Sequence, residues 1–72
     1  MKKRHGWVRQ AALTRRFVMI SNHESEALRE AVVFSTRKEA RGSALPRKLN
    51  TDIVRKVELY KNGKAKMIIP GR

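Results

Sequence analysis

The chain has no cysteine. That excludes disulfide staples and every zinc site built on thiolates, and it suits a reducing cytoplasm. Glycine is sparse, and Gly6, Gly42, Gly63 and Gly71 stand alone, so no glycine-rich loop is present to cradle a phosphate. The aromatic residues are Trp7, Phe17, Phe34 and Tyr60, which leaves no ribonucleoprotein-type aromatic motif. Long apolar runs are missing too. Met1-Lys2-Lys3-Arg4 opens like a signal peptide, yet Arg9, Arg15 and Arg16 interrupt the segment that follows, and nothing reaches membrane-spanning length. The expectation is a soluble, cytoplasmic protein with no membrane partner.

Acid is the other scarcity. Six Asp and Glu stand against eighteen Lys and Arg, a formal net charge of +12. The excess is uneven. Residues 1–21 hold six basic groups and no acid; residues 22–35 hold Glu24, Glu26 and Glu30 against Arg29; residues 36–72 hold eleven basic groups against Glu39, Asp52 and Glu58. Self-repulsion at this density opposes the compact state unless a polyanion or an acidic surface relieves it. A chain of 72 residues is one small basic domain, 1–72, which buries only about 60% of its unfolded surface. Residues 1–6 read as a disordered basic tail.

What is there begins with the C-terminal hairpin, 53–69. Ile53–Tyr60 and Lys64–Ile69 are β-rich runs on either side of Asn62-Gly63, a pair that favours a two-residue type I′ turn. That register sets Val57 opposite Ile68 and Tyr60 opposite Ala65, with Leu59 and Lys66 on the Val57 face. Arg16–Ser21 also reads as a strand. Gly6–Thr14 is open between helix and strand.

Residues 22–41 admit two readings. In one, a single long helix runs from an Asn22 cap to Gly42, beside the C-terminal hairpin. In the other, which the residues favour, Arg29–Phe34 is a strand antiparallel to 16–21, and a short helix of about 36–45 follows. Val32-Val33-Phe34-Ser35-Thr36 is a run of poor helix formers, and Thr36 with Glu39 forms a capping box. Ala40 and Ala44 would then face inward, with Arg37, Lys38 and Arg41 in water. The fold class is α+β: a small antiparallel sheet of three to four strands with one short helix packed on it.

Val33, Phe34, Thr36, Lys38, Glu39 and Ala40 make a junction that resembles the strand-to-helix junction in the arm-type DNA-binding domain of phage integrases. It is similar to the same junction in small proteins of tailed phages. The resemblance spans about ten positions of the 72. It implies a helix on an antiparallel sheet and a phage or mobile-element origin, hence a host-cell cytoplasm. The hairpin after the helix departs from the integrase topology, so no DNA contact is carried over.

Catalysis has no foothold. His5 and His23 lack partners at metal spacing, no two acids can be set across a cleft, and Ser35 and Thr36 have no base to activate them. No enzyme activity, cofactor or metal is expected. Binding through basic groups is the better reading. Lys2, Lys3, Arg4, Trp7, Arg9, Arg15, Arg16, Arg37, Lys38, Arg41, Lys61, Lys64 and Lys66 are the candidate contacts. The hairpin lysines suit a ribbon in a groove or along phosphates, and lysines at a sheet edge also block aggregation. Trp7 and Tyr60 are candidate stacking residues, and both could equally serve the core. The expected function is that of a phage-type regulator holding DNA or RNA through phosphate contacts. The alternative is a host-takeover inhibitor bound to an acidic surface of a host protein such as RNA polymerase or a nuclease.

Overall fold

The computed structural model describes residues 4–21, 23–42 and 52–70; Lys2, Lys3 and Ala44 lie outside them. The fold is α+β, as the residues suggest. Five antiparallel strands, β1 (Arg4–Gln10), β2 (Phe17–Val18), β3 (Glu24–Ser25), β4 (Ile53–Leu59) and β5 (Ala65–Ile68), form one sheet in the order β3-β2-β1-β4-β5. A single turn of 3-10 helix, Leu28–Glu30, follows β3, and a short helix α1, Arg37–Gly42, precedes β4. The 3-10 turn packs against β5 at the far end of the strand order, so the sheet curls into a half-barrel.

β1 is the centre of the fold and corrects one expectation: Arg4, His5 and Gly6 are strand and not tail. Of the two readings left open for Gly6–Thr14, the strand holds over Gly6–Gln10. The reason is non-local: all seven residues of β1 pair with β4, from Arg4 opposite Leu59 to Gln10 opposite Ile53. Alternation then gives each side of the sheet its own residues. Gly6 and Val8 share the inner face with Val57 and Leu59, while Trp7 and Arg9 share the outer face with Lys56 and Val54. Inside the curl, Val8, Phe17, Ala31, Val57 and Ala65 form the core, with Leu28, Val33, Leu59 and Ile68 packed against it.

Residues 23–36 exclude the long helix, and they also correct the expected strand Arg29–Phe34: the strand paired with β2 is β3, Glu24–Ser25. Leu28–Glu30 is a 3-10 turn, its Glu30 carboxylate accepting from the Ser25 hydroxyl. Beyond it the chain is extended, but only Ala31 and Phe34 make sheet bridges, to Met19 and Trp7. β2 pairs with β1 only at Gln10–Phe17 and then diverges. Residues 31–34 fill the gap: the Val32 N–H donates to the Val18 carbonyl, and Trp7 and Phe34 exchange both backbone bonds at 2.9 and 2.8 Å.

α1 starts where the capping box places it. The Thr36 hydroxyl oxygen accepts from the Glu39 N–H at 3.0 Å, and the Glu39 carboxylate reaches back to the Ser35 N–H at 3.2 Å. Ala40 is fully buried, and α1 packs on β1 and β4.

The C-terminal hairpin forms with Val57 opposite Ile68 as expected, but its turn differs. The Gly63 N–H donates to the Tyr60 carbonyl and the Tyr60 N–H to the Lys64 carbonyl, closing a three-residue loop, Lys61–Gly63. Gly63 has φ +84° while Asn62 does not share the positive φ that a type I′ turn requires, so the connection is a type I turn followed by a left-handed glycine. Asn62 instead turns its side-chain oxygen to the Lys64 N–H at 3.0 Å. Ala65 consequently pairs with Leu59 and not with Tyr60, and the extra residue in β5 is Lys66. This bulge swings Lys66 off the Val57 face toward Glu58, 3.4 Å away.

Candidate functional site

The candidate basic residues fall into separate groups. Arg4 and the hairpin turn form one: the Arg4 guanidinium donates to the Lys61 carbonyl at 3.0 Å, and Lys61, Lys64 and Lys66 are exposed. Lys66 is shared between the Glu58 carboxylate and the Tyr60 ring, whose centroid is 5.8 Å from its ammonium. Arg15 and Arg16 lie at the other end of β1, exposed in the turn to β2, roughly 20 Å along the strand from Arg4. Arg15 occupies the left-handed region at φ +61°, with its carbonyl accepting from the Gln10 side-chain amide at 2.9 Å.

Arg9 leaves the list of surface contacts. It is 1% exposed, its guanidinium lying 5.0 Å from the Phe34 ring centroid beneath the extended segment. Burial pushes its pKa below the usual arginine value, and the nearby Asp52 carboxylate pulls it part of the way back. An arginine retains its proton through such a shift, so Arg9 is a buried cation facing Asp52 and a ring. It cannot reach a partner outside the protein.

The third group is the one the fold assembles. Trp7 lies half-buried on the outer face of β1. Arg37, the first residue of α1, places its guanidinium 4.9 Å from the indole centroid, and Lys56, opposite Trp7 in β4, places its ammonium 5.7 Å from it. Both cations are exposed at the surface. Arg37, Lys38, Arg41 and Gly42 line a shallow concavity on the same helix. Two cations from two elements therefore border one ring, and Lys38 and Arg41 follow Arg37 on the same helix.

Most of the acid near and far is already engaged. Glu39 caps its own helix, Glu58 meets Lys66, Glu24 accepts from the Thr14 hydroxyl at 2.7 Å, and Glu30 from that of Ser25.

Lys56 is the member of this group that stands outside the candidate contacts read from the sequence. It looks like a residue low on the hairpin, and only the pairing of β4 with β1 sets it beside Trp7. His5 is on strand β1 and His23 in the turn before β3, both exposed. Among the described residues no group of three or more His, Cys, Asp or Glu is placed to hold a metal ion, and no helix is long and apolar enough to cross a membrane. Comparison with protein-family models, curated proteins and solved structures finds no match to this chain.

Proposed function

We propose that this chain is a non-enzymatic binding protein that holds nucleic acid through phosphate contacts, using the face around Trp7. The observation that carries the reading is the placement of Arg37 and Lys56 against one aromatic ring, with Lys38 and Arg41 beside Arg37 on the same short helix. Exposed cations held at the margin of a ring are open to anionic oxygens, and the net charge of +12 draws a polyanion from a distance. The arginines add planar donors suited to phosphate.

Phosphate contacts release condensed counterions, so affinity must fall with salt. Four cations on a single strand give a slope of log K against log salt near −3, a loss of roughly fiftyfold or more between about 50 and 200 mM salt. Fluorescence anisotropy of a labelled oligonucleotide across that range measures it. Affinity that stays flat with salt refutes the reading. Tight capture of an acidic protein without affinity for any oligonucleotide transfers the same face to a protein partner.

A further inference from the structure

Resting on the phosphate-binding reading, we infer that the strand held here is single, and that one of its bases stacks on Trp7 after Arg37 moves off the ring. The fold offers a duplex no element that projects into a groove. Reading a groove needs an element that projects, either a helix or a free two-stranded ribbon. α1 spans six residues and is pinned to the sheet by Ala40, which is fully buried. The C-terminal hairpin is not a free ribbon, because β4 is paired along its whole length to β1. Only its three-residue turn stands clear. Neither element can enter a groove far enough to reach base edges.

The face does have the parts of a single-strand platform: one partly exposed indole ring, half-buried on the strand, with cations at its margin. Arg37 covers the ring in the free protein. Its side chain is exposed, and among the described residues no hydrogen bond or ion pair ties it down, so it can rotate from ring to phosphate. The exchange is favourable in direction, since a base on an aromatic ring is held more strongly than an exposed cation–π contact. Lys56, on the neighbouring strand, remains at the margin to meet the next phosphate. The flat base fills the site, and the mobile cation that guarded it binds the backbone.

Trp7 is the single tryptophan of the chain, so its fluorescence reports the site without a label. The titrants are a short oligodeoxythymidine, a duplex of equal length and inorganic polyphosphate. The inference expects quenching of Trp7 by the single strand and little change with polyphosphate. It also expects Trp7→Leu to lose about tenfold in affinity for the single strand while affinity for polyphosphate holds. Trp7→Phe retains a ring and recovers most of the loss, which guards against a folding defect in the leucine variant. On the wild type, the bound single strand also shields Trp7 from iodide.

Salt-dependent binding with equal quenching by polyphosphate overturns the stacking and leaves the phosphate reading intact. Binding to the duplex tighter than to the single strand overturns it as well. Absence of binding by all three titrants at low salt removes both.

Discussion

Gly6 lies in β1 directly beneath Val33, and the approach is too close for any side chain. A Cβ at this position would come within 2.5 Å of the Val33 Cγ1 and 3.3 Å of the Phe34 carbonyl oxygen. The glycine is what lets residues 31–34 lie against β1 and bring Phe34 opposite Trp7. Gly6→Ala must push that segment outward, a core overpacking that costs about 1–3 kcal/mol; urea denaturation measures it as a lower midpoint. Arginines at positions 9 and 37 divide in the opposite sense. Arg37 is exposed and Arg9 is 1% exposed against Phe34 with Asp52 facing it. Arg9→Ala therefore empties a buried site and strips Asp52 of its countercharge, and is expected to destabilise by about 3 kcal/mol. Arg37→Ala is expected to shift stability by less than about 1 kcal/mol, the worth of an exposed cation–π contact, and to weaken oligonucleotide binding. Thermal melts and anisotropy on the two variants separate the roles. In sequence Arg9 lies between Val8 and Gln10 and Arg37 between Thr36 and Lys38, and both read as surface cations; the burial of one strand face under Phe34 distinguishes them.

At the level of elements, α1 is too short to stand alone and depends on its cap and on Ala40. Thr36→Ala removes the oxygen that receives the Glu39 N–H and should cost about 1 kcal/mol, with Thr36→Ser restoring most of it. The loosened helix also frees Arg37 from the ring, so the emission of Trp7 should change along with stability. This junction was legible in the sequence because its determinants sit within five residues, Ser35 to Glu39. The hairpin was legible for the same reason, since Asn62-Gly63 marks the reversal. Its turn type was not: Asn62 supplies a side-chain acceptor for the Lys64 N–H, and the chain takes a longer loop and places the register correction at Lys66. β2 and β3 are two residues each, too short to carry a period. β1 was ambiguous because its partner begins 43 positions later in sequence, at Ile53 opposite Gln10. The candidate site shared that fate. Trp7, Arg37, Lys38 and Arg41 could be named singly, but their meeting with Lys56 depends on a strand pairing that no local pattern encodes.

The whole molecule is a small core under a large charge, and its response to ions tests whether it has a site or only an excess of charge. Self-repulsion at +12 is relieved by any added salt, so the free protein should melt at a higher temperature as sodium chloride rises. A specific polyanion acts by linkage instead. At a hundredfold excess over its dissociation constant it stabilises the folded state by about 2.7 kcal/mol. For a domain of this size that corresponds to a rise of roughly 10–20 °C in melting temperature. Salt weakens the binding that produces this rise, so the increment given by a short oligodeoxythymidine should shrink as sodium chloride increases. The two effects have opposite signs along one axis. A protein that is only crowded with charge gains from salt and from any polyanion alike, and its oligonucleotide increment vanishes once the charge is screened in its absence too. A protein with a built face shows an increment that exceeds the best salt can give, falls with the counterion slope, and is reduced in the Arg37→Ala variant while the salt response of the free chain is preserved. Melts of the two proteins across salt, with and without the oligonucleotide, decide between them. Loss of the increment in wild type at every salt concentration would leave the basic surface without a nucleic-acid role.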